Sequence, residues 1–488
     1  MKKRIQGKSI LKYIISLFLI FQFLILFSLE IVPKEKSENS NILSGIKTKP
    51  IDFKIPETKI TTLSNGIQIY SRKSTEFPII FYKFVFPVGK NSPELSTEAL
   101  QVWSQYLEMS GSSLQPGQKF RSRLEDLGAS FKVQVTDFRT TIHVSCISKD
   151  FEEVSSLVKE LIHDPNWNPE IFQERKEKIL EDISRRNDSH QSIAFRKAKE
   201  IVLGKFKIAK SISAKAVSEV KIEDIQKIHA EILKLEQKII LVNGDFLEKK
   251  FEEHIQTLFS TNEKSNLKPS EINGNSIRAQ FEKQSSKTVF VEKTGNQSVV
   301  ILAGLLPDHN HPDYFPIQLL NYIIASGGFN GYFMKEIRTK RGLSYTSSAQ
   351  AVWEKNSSYI VFYSLTKSES TKEVLQLMNS LLSNDTIQKI QKEELEYAKA
   401  AIINQFVFLA DDDQKILATS LLMREHDLGP EYLKTYRDKI QKVRLEDLRR
   451  VGAKYFDPKN LRAMIVGNKS LFDEKTDVLF QPEDELNP

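Results

Sequence analysis

The chain has 488 residues, 40% apolar and 27% charged, which suits a globular protein of roughly two to four domains and excludes a disordered one. Its net charge of +7 is concentrated: Lys2, Lys3, Arg4, Lys8 and Lys12 stand among residues 1–12 without an acid, leaving +2 for the remainder and no electrostatic footprint for nucleic acid. Cys146 is the one cysteine, so no internal disulfide can form and the redox compartment stays open.

After the basic start, Tyr13–Leu29 runs 17 residues without a charge. As a helix it spans roughly 26 Å at about 1.5 Å per residue, a little short of a bilayer core of about 30 Å. Residues 1–32 therefore read as a transmembrane anchor or a signal helix. The uncleaved anchor is favoured, because Phe27-Ser-Leu-Glu30 offers no small-x-small cleavage site. The cations stay inside and the body is exported. It then faces the periplasm or exterior from a membrane, or is secreted if the segment is cleaved. No cysteine follows the apolar run, which excludes a lipid-anchored lipoprotein. Residues 33–54 are polar and aperiodic, a tether.

From residue 58 the pattern alternates, with Asn65-Gly66 as a hairpin turn and Ile79–Val88 as a strand. Helical patterns cover Ser96–Met109 and Gln118–Leu127, and Ser130–Ser148 alternates as strands. Phe151–His163 and Pro169–Arg186 are helical again, and Lys238–Val242 is a short strand ending at Gly244. The chain then repeats itself. Val220-Lys-Ile-Glu-Asp224, a helix, a strand and Gly244 recur as Val443-Arg-Leu-Glu-Asp447, a helix, a strand and Gly467, both ends offset by 223 residues. Glu153-Val154 with Leu157 and Leu161 recurs as Glu373-Val374 with Leu377 and Leu381, and Phe120–Gly128 is echoed more weakly by Phe333–Gly342. So long a period implies two homologous α+β domains, 55–262 and 287–488, with a polar linker over 263–286. Strands arriving in hairpins and groups predict that each domain is a mainly antiparallel sheet with helices packed on one face.

The chemistry is thin by comparison. The eight histidines are scattered, and no two stand at helical i, i+4 spacing. His309-Asn-His311 precedes Pro312-Asp313 and reads as a loop leading into a helix. Cys146 lies in the strand-like run Thr141–Ile147, where a buried thiol is common. There is no Gly-x-Ser-x-Gly elbow and no phosphate-binding glycine loop. Gly327-Gly328-Phe329-Asn330-Gly331 is glycine-rich, and Gly327, Gly328 and Gly331 let backbone or a bound peptide come close. Next come a helix over Tyr332–Lys340, a left-handed cap at Gly342 and a strand over Ser344–Val352. Arg338 in the last helical turn and Tyr345 at the strand start can converge. Both donate hydrogen bonds, and aimed at a peptide carbonyl they would stabilise the charge of a tetrahedral intermediate. The plainer alternatives are an arginine answering the helix dipole and a tyrosine in a core.

On these residues the sequence resembles the pitrilysin/insulinase family of zinc peptidases over roughly residues 55–485. Gly327-Gly328 followed by Arg338-x-x-x-Gly342-Leu-x-Tyr345 is similar to the family's second-domain signature. The resemblance implies two α+β domains forming a half-shell, and two half-shells closing around an unfolded peptide. It also implies that Arg338 and Tyr345 bind a substrate carbonyl near zinc held by the opposite half. The departure lies in the first domain. Counting back from Gly111-Ser112 puts Val102-Trp-Ser-Gln-Tyr106 where the family has His-x-x-Glu-His. Val102 cannot bind zinc, and neutral Gln105 cannot take a proton from water. Glu181 falls at the position of the distant carboxylate ligand, but one carboxylate cannot hold a catalytic metal. The expectation is a non-catalytic subunit, inactive alone and binding no metal. It would present Arg338 and Tyr345 to a homologous subunit that supplies the zinc. The alternative is an inert scaffold or peptide-binding protein of the same fold.

Overall fold

The computed structural model describes residues 57–260, 263–284, 288–468, 470 and 478–480. The anchor-or-signal segment 1–32 and the tether 33–54 lie outside the described residues. Among the described residues no helix is long and apolar enough to cross a membrane.

Two six-stranded sheets organise this α+β fold. The first contains β1 (Lys59–Thr62), β2 (Gln68–Lys73), β3 (Ile79–Phe86), β4 (Ser130–Val135), β5 (Thr140–Ile147) and β6 (Ile239–Gly244). The second contains β7 (Thr288–Glu292), β8 (Gln297–Leu305), β9 (Ser344–Val352), β10 (Tyr359–Lys367), β11 (Arg462–Gly467) and β12 (Val478–Phe480). Their orders, β1-β2-β6-β3-β5-β4 and β12-β7-β11-β8-β10-β9, are the same once β2 is laid on β7. Antiparallel pairs dominate, but β2/β6, β7/β11 and β7/β12 run parallel. Asn65-Gly66 makes the tight connection from β1 to β2, the Gly66 N–H donating to the Leu63 carbonyl at 2.9 Å.

The helices used below are α1 (Thr97–Ser110), α2 (Pro169–Arg185), α3 (His190–Leu203), α4 (Gly274–Lys283), α5 (Lys392–Phe406) and α6 (Asp413–Glu425). Strand alternation decides what each sheet face meets. In the first sheet Phe84, Ile240 and Val242 join Leu100 and Trp103 of α1 in one core, while Tyr70, Val85 and Leu241 point the other way onto Leu417 and Leu421 of α6. In the second sheet Val300 and Leu302 face their own helices, while Val299, Ile301 and Ala303 meet Ile193, Ala194 and Val202 of α3. Each half thus lends one helix to the back of the other's sheet. Helices therefore cover both faces, not one as the pattern predicts. The near-continuous apolar run of β8, Val299-Val-Ile-Leu-Ala303, is what two-sided burial requires. Salt bridges Arg72–Asp413 at 2.6 Å and Arg139–Glu425 tie α6 to the first half, and Lys199–Asp137 at 2.5 Å ties α3 to it.

The stretch read as a linker is not all loop. It holds α4, capped by Asn273, which buries Ile277 and Phe281 beside α3. Cys146 is fully buried in β5, and burial pushes its thiol up to about 12, so it is no nucleophile. His309 stacks on Tyr314 and bonds the Tyr432 hydroxyl at 2.7 Å, and the His311 Nδ1 accepts the Asp313 N–H at 3.0 Å. Both histidines serve the start of the following helix.

Candidate functional site

The glycine-rich segment sits between two π-helical turns, Tyr322–Ser326 and Met334–Thr339. Gly327 closes the first, its N–H reaching back five residues to the Tyr322 carbonyl at 2.9 Å. Gly328 takes φ +61°, which a side chain would resist, and the chain folds so that the Gly331 N–H donates to the Gly328 carbonyl at 3.0 Å. The second π turn carries Arg338. Beyond its end the chain turns at Gly342, φ +64°, whose N–H donates to the Arg338 carbonyl at 2.8 Å, while the Leu343 N–H donates to the Ile337 carbonyl at 3.0 Å. This cap aims β9 so that Tyr345 comes back beside Arg338.

The two side chains do meet. The Arg338 guanidinium carbon lies 5.1 Å from the centre of the Tyr345 ring. It lies equally 5.1 Å from the centre of the Phe329 ring, a contact that motif reading does not anticipate. The one signal in the sequence is an aromatic residue inside a run of glycines. Arg338 is half-buried, whereas Tyr345 and Phe329 are 79% and 67% exposed. Two ring contacts therefore hold the guanidinium without consuming its five N–H donors. Among the described residues, Arg338 has no ion pair or side-chain hydrogen bond. A half-buried arginine so held can grip a carbonyl or carboxylate oxygen, with the Tyr345 hydroxyl as a second donor.

The corresponding corner of the first half is closed. Val102 and Tyr106 of α1 are 0% exposed. The Tyr106 hydroxyl donates to the Asn166 carbonyl at 2.5 Å and accepts the Asn168 N–H at 2.6 Å, its ring stacks on Trp167, and burial pushes its pKa up to about 12. Glu181 points outward on α2, paired with Lys178 at 3.1 Å and Arg185 at 2.7 Å, and those cations hold its carboxyl below the usual range. Among the described residues no three histidine, cysteine or acidic side chains are grouped to hold a metal. These residues do not fit a zinc ion. At the edge of the first sheet, the Val133 N–H of β4 is also taken, by the Glu108 carboxylate of α1 at 2.6 Å.

Trp103, next to Val102, donates its indole N–H to the His229 Nδ1 at 3.2 Å, and the other imidazole nitrogen bonds the Ile162 carbonyl at 2.7 Å. Nδ1 is thus the acceptor and the ring is neutral. Burial pushes its pKa from 6.5 down to about 4. Between those values the unfolded chain binds the extra proton, so this site's stability is full above pH 6.5 and is lost as pH falls through about 4. His229→Gln is expected to lose less stability than the parent between pH 7 and pH 5, read from urea midpoints at about those two pH values.

Residues 105–215 match the family model of insulinase (peptidase family M16), and residues 219–402 match that of the peptidase M16 inactive domain. The chain belongs to the M16 insulinase family. The non-peptidase homolog YmxG of Helicobacter pylori is 19% identical over 352 residues, 72% of this chain and 80% of that protein. Cytochrome b-c1 complex subunit 1 of Rattus norvegicus is 21% identical over 141 residues, 29% of each chain. The M16 inactive-domain protein from Pseudomonas fluorescens superposes with a TM-score of 0.72 at 17% identity, over 85% of this chain and 98% of that one. The periplasmic protease PqqL of Escherichia coli gives 0.68 at 14% identity, over 85% of this chain and 47% of that one. At such identities the superpositions show the fold alone.

Proposed function

We propose that this M16 chain is a non-catalytic, peptide-gripping subunit. Arg338 and Tyr345 bind a carbonyl oxygen of an extended, unfolded peptide, and a separate subunit of similar fold supplies the zinc that cuts it. The chain forms one half-shell of that pair, exported and held at a membrane by its N-terminal segment. The observation that carries this reading is the guanidinium held against Phe329 and Tyr345 with its donors unspent, in a molecule whose Val102 and Tyr106 are fully buried. The match to the inactive-domain model agrees with it.

Affinity capture of the tagged full-length chain from its native membrane fraction tests the reading. A co-purifying subunit bearing His-x-x-Glu-His is expected, with peptide hydrolysis by the pair and by neither chain alone. Capture that brings down no such subunit contradicts the proposal. The second reading, an inert scaffold in a larger assembly, draws support from the similarity to a cytochrome b-c1 complex subunit. It is the one favoured if the captured complex is stable and hydrolyses nothing.

A further inference from the structure

A cavity borders the glycine-rich loop at Asn330. It is open to solvent, has a volume of about 280 Å³ and is lined by Tyr322, Ile323, Asn330, Tyr332, Glu393, Glu394 and Tyr397. At roughly 30 Å³ per water it has room for a long side chain. Three of its walls are tyrosines. The rings of Tyr322 and Tyr397 stand 6.5 Å apart, inclined at 45°. Two carboxylates complete it, and no lysine or arginine lines it.

The acids have one ordinary duty, which does not exhaust them. Both stand in the first turn of α5, where acids suit the helix dipole. Glu394 also closes a capping box, one oxygen accepting the Gln391 N–H at 2.9 Å and the other the Tyr332 hydroxyl at 2.8 Å. Glu393 is exposed, with no ion pair among the described residues. A helix N-terminus is worth about half a positive charge, so two carboxylates leave the box clearly negative. Negative aromatic faces beside carboxylates are the surroundings a desolvated cation prefers.

The loop couples this box to the arginine. Phe329 lies against Arg338, while the next residue, Asn330, donates its side-chain N–H to the Tyr397 hydroxyl at 2.8 Å. Phe329 and Asn330 are consecutive, so the arginine and the box border the same loop. We infer that the Tyr322–Tyr332–Tyr397 box with Glu393 and Glu394 takes a lysine or arginine side chain of the peptide whose carbonyl Arg338 holds. This rests on the peptide-gripping reading and adds a side-chain preference to it.

The test uses the full-length chain and fluorescein-labelled unstructured decapeptides carrying one lysine at successive positions, each with a norleucine counterpart. At one position the lysine peptide is expected to bind about tenfold tighter. In Tyr397→Ala, at a residue 53% exposed, and in Glu393→Gln, that ratio falls towards one. Equal binding of lysine and norleucine peptides by the parent chain overturns the inference, as does a ratio that survives both substitutions. Arg338→Ala separates the two ideas. If it weakens both peptides and no lysine preference exists, the box fails and the carbonyl grip stands. If it weakens neither and the preference disappears in Tyr397→Ala, the box stands and the grip fails. Absence of binding by any peptide overturns both.

Discussion

A chain carrying Val102→His, Gln105→Glu and Tyr106→His is expected to lose about 4 kcal/mol or more of stability and still to hold no stoichiometric zinc. Position 102 is fully buried, and a histidine there must place two polar nitrogens among Leu100, Trp103 and their neighbours. An unsatisfied buried polar group costs about 1–3 kcal/mol. Replacing Tyr106 removes the stack on Trp167 and both backbone hydrogen bonds, and large aromatic truncations in cores cost about 3–5 kcal/mol. The third ligand does not converge either, since Glu181 faces solvent between Lys178 and Arg185. Urea unfolding and elemental analysis of the purified variant check both halves of the prediction. A stable variant with one zinc per chain would mean that only three side chains separate this molecule from a peptidase.

Arg338→Ala is expected to lower kcat/KM of the assembled pair by about 10²–10³, the usual cost of removing one donor from a developing oxyanion. Tyr345→Phe keeps the ring beside the guanidinium and deletes only the hydroxyl, so it separates stacking from donation. Arg338→Lys is not expected to restore activity, because an ammonium lacks the planar, paired donors of a guanidinium. Both side chains are at least partly exposed, so far-UV circular dichroism and thermal midpoints of the three variants should stay near those of the parent. Steady-state kinetics on the purified pair, with a fluorogenic unfolded peptide, gives the answer. Full activity in both Arg338→Ala and Tyr345→Phe would remove the carbonyl grip from the account.

The local grammar around the site is legible in the residues themselves. Glycine at 342 marks the cap, and alternation from Ser344 marks the strand, so the convergence of Arg338 and Tyr345 follows from spacing. The π turn over Met334–Thr339 is not legible, because its i, i+5 bonds leave no distinctive residue pattern and the segment reads as ordinary helix. Phe329 is visible only as one residue in a glycine-rich run, and its contact with Arg338 depends on the turn at Gly328. The exchange of α3 and α6 between halves is hidden for another reason. An amphipathic helix announces that it has a sheet to cover, but not which one. The run through β8 carries the missing hint, since a strand apolar on both faces needs a cover on each. Helix α4 leaves a faint trace because only Ile277 and Phe281, four residues apart, anchor it in a polar stretch.

The most direct measurement is made on the purified full-length chain alone: zinc content, hydrolysis of an unfolded peptide, and binding of that peptide, all on one preparation. The account predicts zinc well below one per chain, no cleavage, and binding that Arg338→Ala weakens. One firmly held zinc per chain together with cleavage of the peptide would contradict it.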